Sequence, residues 1–191
     1  MAIKLLISDF DGTLVDTFEA NFRAYAGALE SVGFNLSRDK YRECFGFRFD
    51  RFMDTVGIVD NDTRAAIREK KAELYPSHFD CLKVNRPLID FITAFHDSGG
   101  MTTIASTARG RNLCNALEYL GLSKAFDLVL SGENVSKGKP DPEIYLSVLG
   151  RTGLGPDEVL VFEDSDVGFK AAESAGLRYI KINPRYFDNG I

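Results

Sequence analysis

The sequence predicts an α/β protein: a parallel sheet with helices on both faces and a helical segment inserted after the first strand. Three observations predict it. The apolar run "IKLLI" (3–7) has no polar alternation, as expected for a strand covered on both faces. From about residue 81 onward, apolar runs alternate with stretches of helical period, the pattern of strand–helix–strand units. Between these regions, residues 18–80 hold polar and helical material but no convincing strand. The predicted core is therefore split into residues 1–15 and 81–191, around an insert at 16–80.

The elements follow in order. Residues 18–32 read as a helix, because Phe18, Phe22, Tyr25, Ala26, Leu29 and Val32 recur at helical spacing and Gly33 supplies a stop. "TRAAIREKKAELY" (63–75) is the clearest helix of the insert. Pro87 opens a helix whose Leu88, Phe91, Ile92 and Phe95 share a face, and Gly99-Gly100 end it. Strands are then expected at 101–106, 127–131, 159–164 and 178–182, with helices at 113–121, 142–150 and 168–176 between them.

Composition narrows the function. Apolar residues make up 45% of the 191 residues, enough for a core, and the net charge is -5. An acidic chain has no basic excess to neutralise phosphates, so neither a nucleic-acid nor an anionic-membrane partner is expected. The first apolar stretch soon meets Asp9, which argues against a signal peptide or membrane span, and a cytoplasmic location is expected. Cys44, Cys81 and Cys114 have no zinc spacing and read as buried thiols in a reducing compartment.

Open parallel sheets bind ligands at the carboxyl ends of their strands. At those ends the sequence places Asp9 and Asp11, then Ser106 and Thr107, then Glu163 and Asp164. "KGKPDP", with Lys137 and Lys139, lies just before the 142–150 helix. Carboxylates from two strands make a hard oxygen site suited to Mg²⁺. A lysine and a serine hydroxyl can hold phosphate oxygens. Two aspartates at this spacing can divide the work, one attacking phosphorus and the other moving a proton. Each feature has a plainer reading: a turn for Asp-x-Asp-Gly, a helix N-cap for Ser106-Thr107 or for Asp164-Ser165, a solvated lysine for Lys139. Their coincidence at successive element boundaries is what favours a phosphate site.

"DFDGTLVDT", Ser106, Lys139 in "GKPDPEIY" and "VFEDSDVG" resemble the four motifs of the haloacid dehalogenase superfamily. The insert resembles the helical cap of the subfamily that includes phosphoglycolate phosphatases and β-phosphoglucomutases. The resemblance implies a Rossmann-like core with a mobile cap that closes over substrate. It implies Asp9 as nucleophile and Mg²⁺ ligand, and Asp11 as general acid/base whose backbone carbonyl also binds metal. Ser106, Thr107 and Lys139 are implied as phosphate binders, and Asp164 as the main further metal ligand with Glu163 assisting. Asp11 sets the chain apart from the dehalogenases, which lack that residue, and the first cap helix has no lysine before Lys40 to offer the Schiff base of the phosphonate-cleaving members.

The function expected is Mg²⁺-dependent hydrolysis of a small phosphorylated metabolite through a phosphoaspartate. A sugar-phosphate mutase is the alternative, because "DTFEANFRAY" (16–25) resembles the mutase pattern, with Asn21 where the mutases have a histidine. A phosphate-sensing or interaction protein on the same fold is the non-enzymatic alternative. In "CFGFRFDRFM" (44–53), Phe45 and Phe49 stand where the mutase has a lysine and an arginine, and Arg48 and Arg51 nearby are candidate substrate-facing cations. A monomer or small homo-oligomer is expected.

Overall fold

The computed structural model describes residues 2–183 and Phe187; residues 1, 184–186 and 188–191 of the expected core lie outside the described residues. The chain begins with β1 (Leu5–Ser8) and β2 (Val15–Asp16), followed by α1 (Phe18–Glu30), α2 (Arg38–Cys44), α3 (Phe49–Thr55) and α4 (Asn61–Leu74). A 3-10 segment (Tyr75–Cys81) leads to β3 (Lys83–Val84), α5 (Arg86–Asp97), β4 (Met101–Ala105), α6 (Gly110–Tyr119) and β5 (Leu128–Leu130). Then come α7 (Glu143–Thr152), β6 (Val159–Glu163), α8 (Asp166–Ser174) and β7 (Arg178–Lys181). Among the described residues, no helix is long and apolar enough to cross a membrane.

Two compact units result. One joins the chain up to Asp16 with Lys83 onward, and the other is Thr17–Leu82. The first is built on a sheet of order β5-β4-β1-β6-β7 whose neighbours all pair in parallel, the α/β fold expected. All four β1 residues are buried, which explains the unbroken apolar run. Leu5 and Ile7 face a core with Val159, Val161, Ile144, Tyr145 and Val148, drawn from β6 and α7. On the opposite face, Phe91 of α5 meets Phe162 with ring centroids 6.0 Å apart. Asn85 caps α5 by accepting from the Leu88 N–H at 3.3 Å, so this helix starts before the Pro87 signal.

β2 and β3 pair antiparallel through Val15–Val84 and Asp16–Lys83. Two residues per strand carry too little periodicity to be read from sequence. The helix expected at 113–121 starts earlier, at Gly110, whose N–H donates to Glu133 Oε2 at 3.0 Å. The three cysteines are free thiols, but only Cys44 is buried. Cys114 faces solvent because Leu113, Ala116 and Leu117 form the inner face of α6.

The helical unit has its own core of Ala28, Leu29, Leu36, Tyr41, Phe52, Met53 and Ile67. Tyr41 is its hub: the rings of Phe18, Phe22, Tyr25, Phe45 and Phe52 all have centroids within 6.0 Å of it. Phe45, Phe47 and Phe49 pack against this core half-buried, as packing residues of the unit. Lys71 is buried with its ammonium 3.8 Å from the Tyr75 ring centroid.

Candidate active site

β1 is the middle strand, and the chain builds outward from it in both directions: to β4 and β5 on one side, then to β6 and β7 on the other. A crevice opens at the carboxyl end of such a strand. Asp9 stands there, directly after β1, with its N–H donating to the Phe162 carbonyl at 3.0 Å. Ser106 follows β4, and its N–H donates to the Leu130 carbonyl at 3.0 Å. Glu163 ends β6, and Asp164 comes next.

Lys139 joins these groups. Its Nζ donates to Asp9 Oδ1 at 2.8 Å and to the Ala105 carbonyl at 2.9 Å, and it is ion-paired and hydrogen-bonded to Glu163. Its side chain is 3% exposed, so it is no solvated surface lysine. Lys137, two residues earlier, is 73% exposed and pairs at 3.8 Å with Asp141. Ser106 Oγ donates to Asp11 Oδ2 at 3.3 Å and accepts from the Ala108 N–H at 3.0 Å. Thr13 Oγ1 donates to Asp164 Oδ1 at 2.8 Å. Ser165 caps α8 by accepting from the Gly168 N–H at 3.1 Å, leaving Asp164 free of that task.

Burial and like charges strain these acids. Burial raises the Asp9 carboxyl well above the usual range, against the pull of Lys139, and Glu163, Asp164 and Asp11 push it further up. Burial also pushes Asp164 up to about 6, with the Thr13 hydrogen bond opposing. For Lys139, burial works against the charged form, but Asp9, Tyr145 and Glu163 outweigh it and hold the ammonium well above its ordinary pKa. Carboxylate oxygens of Asp9, Glu163 and Asp164 lie within 4.8 Å of one another. A hard divalent cation fits such an all-oxygen cluster and would relieve its repulsion. The two oxygens of Glu163 are engaged differently from the rest: Oε1 accepts from the Tyr145 hydroxyl at 2.8 Å, and Oε2 from the Asp164 N–H at 3.2 Å and Ser165 Oγ at 3.2 Å.

Two glycines make room for this arrangement. Gly12 has φ +96°, and a Cβ there would lie 2.2 Å from Asp164 Oδ2. A Cβ on Gly168 would lie 2.0 Å from Glu163 Cδ. Thr13, Tyr145 and Gly168 were not singled out as site residues by sequence reasoning. Tyr145 in "PDPEIY" and Gly168 in "EDSDVG" lie inside the motifs, but nothing in their spacing says that they meet Glu163. Thr107 is half-buried at the start of a loop braced from below: a Cβ on Gly132 would lie 2.5 Å from the Thr107 carbonyl oxygen, and Glu133 accepts from the Gly110 N–H at 3.0 Å. Arg109, another cation of this loop, is paired with Glu133 at 3.2 Å. In the helical unit, Arg48 is exposed at the N-cap of α3, and exposed Arg51 lies 3.8 Å above the Phe47 ring centroid.

Sheet, helical insert and strand-end carboxylates define the class: a Rossmann-like α/β hydrolase. More narrowly, residues 6–182 match the haloacid dehalogenase-like hydrolase family, and the chain belongs to that family. It is 33% identical to a phosphorylated carbohydrates phosphatase of Thermotoga maritima, over 93% of this chain and 84% of that protein. It is 29% identical to the fructose-1-phosphate phosphatase YqaB of Escherichia coli, over 93% of this chain and 95% of that protein. Among solved structures, CbbY from Rhodobacter sphaeroides in complex with phosphate superposes with a TM-score of 0.86 at 25% identity, covering 96% of this chain and 88% of that one.

Proposed function

We propose that this hydrolase is a Mg²⁺-dependent phosphatase acting on small phosphorylated sugars through a phosphoaspartyl intermediate. The observation that carries the reading is the Lys139 ammonium bonded to Asp9 within a buried cluster of carboxylates, a charge arrangement matched to a phosphoryl group. Relatives named as phosphatases of phosphorylated carbohydrates and of fructose 1-phosphate support the substrate class. An Asp9 oxygen attacks phosphorus, the bond to the leaving alcohol breaks, and Asp11 protonates that alcohol. Water then attacks the acyl phosphate and gives its proton to Asp11, releasing inorganic phosphate and restoring Asp9. Ser106, Thr107 and Lys139 hold the phosphoryl oxygens. Asp9 and Asp164, with the Asp11 carbonyl and Glu163 assisting, would hold Mg²⁺, which when bound supplies positive charge to both the carboxylates and the phosphoryl group.

Substrate choice falls to the helical unit read as a cap, with Arg48 and Arg51 as its cations. The mutase alternative is not better supported, since Asn21 replaces the mutase histidine. The test is phosphate release from a panel of sugar phosphates, phosphoglycolate and nucleotides, with and without Mg²⁺. Release that requires Mg²⁺ is expected; isomerised sugar phosphate without phosphate release would turn the reading to the mutase.

A further inference from the structure

The turn after β1 is drawn tight by its own backbone. The Leu14 and Val15 N–H groups donate to the Phe10 carbonyl at 3.2 and 3.0 Å, and the Gly12 N–H donates to the Val15 carbonyl at 2.8 Å. Thr13 lies in this turn, fully buried, with its hydroxyl on Asp164. A segment some seventy residues further on grips the turn from outside. Asn85 directly follows β3, where the chain has re-entered the α/β unit, and it is 3% exposed. Its backbone N–H donates to the Leu14 carbonyl at 2.8 Å. Its side-chain Nδ2 donates to the Thr13 carbonyl at 3.2 Å, while Oδ1 accepts from the Leu88 N–H of α5 at 3.3 Å. Capping α5 explains Oδ1 alone, since serine or aspartate would cap equally well; the bond from Nδ2 needs the carboxamide. Threonine is branched at Cβ and has few χ1 choices, so a held Thr13 peptide also fixes where its hydroxyl points.

We propose that Asn85 is a positioning residue for Asp164: its carboxamide fixes the Thr13 peptide, and the Thr13 hydroxyl then sets the carboxylate. This inference rests on the reading of Asp164 as a Mg²⁺ ligand. Groups behind the ligands carry part of a metal site's affinity, because they hold the ligand atoms in the binding orientation beforehand. Asn85 sets how much Mg²⁺ the protein needs and leaves the chemistry of the loaded site alone.

Asn85→Ser keeps an oxygen to cap α5 and removes the amide that reaches Thr13. Thermal unfolding of the full chain is followed against Mg²⁺ concentration, and steady-state kinetics at saturating Mg²⁺ are measured on the phosphate ester that the wild type turns over best. In Asn85→Ser the Mg²⁺ concentration giving half of the rise in unfolding temperature is expected to increase about fivefold, with kcat and KM at saturating Mg²⁺ within about twofold of wild type. Thr13→Val, which removes the hydroxyl itself, should raise that concentration at least as much. The double variant should need no more Mg²⁺ than Thr13→Val alone, because the carboxamide acts through the threonine.

A merely structural Asn85 would lower the unfolding temperature without Mg²⁺ and leave the half-saturating concentration where it was; that result overturns the proposal, and so do multiplying effects in the double variant. Should Asn85→Ser fail to fold, the same titration on Asn85→Thr, which also keeps a capping oxygen and lacks the amide, decides the matter. A wild type whose unfolding temperature ignores Mg²⁺ sinks the metal reading of Asp164. A wild type that responds, with an Asn85→Ser that responds identically, sinks only the positioning role.

Discussion

The strand edge of the α/β unit and the surface of the helical unit are both rich in charge, but they hold it in opposite ways. At the strand edge, Lys139 and Glu163 are 3% and 0% exposed, and their partners come from segments 24 and 130 residues away in sequence. In the helical unit the ion pairs are local or superficial, such as Lys40–Glu43, Arg42–Asp39 and Lys70–Glu73 at helical spacing. Pairs of the second kind contribute at most about 1 kcal/mol, because water competes for both partners. Pairs of the first kind cannot be dismantled one member at a time without stranding a charge. The difference teaches where substitution is tolerated: recognition can be re-cut on a solvated helical surface, while charges buried against each other have to be kept as a set.

The sharpest test of that contrast is Asp9→Asn, which removes the proposed nucleophile while keeping its shape. Turnover of any phosphate ester should fall by roughly three orders of magnitude or more. Residual activity near wild type would place the chemistry elsewhere. Lys139→Met comes next. It leaves buried carboxylates unpaired and should cost about 3–5 kcal/mol in urea unfolding, along with most of the activity. A stability equal to wild type would show that the strand edge is no more coupled than the helical surface.

Gly12→Ala forces a Cβ to 2.2 Å from Asp164 Oδ2 at φ +96°. A loss of about 1–3 kcal/mol is expected, with more Mg²⁺ needed for half-maximal activity as Asp164 is displaced. The smallest effect belongs to the helical unit. Arg51→Ala removes a guanidinium stacked on Phe47 and should change stability by less than about 1 kcal/mol. Its signature is a changed order of kcat/KM among sugar phosphates; an unchanged order would remove Arg51 from substrate choice.

Much of the architecture was legible because apolar runs report burial directly. β1 and β6 stand where continuous or nearly continuous apolar stretches predict them, since both faces of the sheet are covered. The strand ends follow from the same pattern, which places Asp9, Ser106, Glu163 and Asp164 there. The β2–β3 pair, the early start of α6 and the exposure of Cys114 were not legible. Each depends on a partner or a helix phase that a short window does not reveal. Lys139 shows the limit most clearly. Alone, a lysine before a proline reads as a surface residue, and only its meeting with Asp9, Ala105 and Glu163 explains its burial.

Local sequence by itself determined the order of the five strands of the parallel sheet, the helices between the later ones, and which chemical groups end each strand. It could do so because hydrophobic period and strand-end position are properties of neighbouring residues. Tertiary structure alone decided how those groups are charged and held. Thr13 on Asp164, Tyr145 on Glu163 and the clearance at Gly12 for Asp164 are contacts between segments distant along the chain. Hydrogen bonds and desolvation act through space, so the pairing of a buried carboxylate is settled only when the fold brings its donors within about 3 Å.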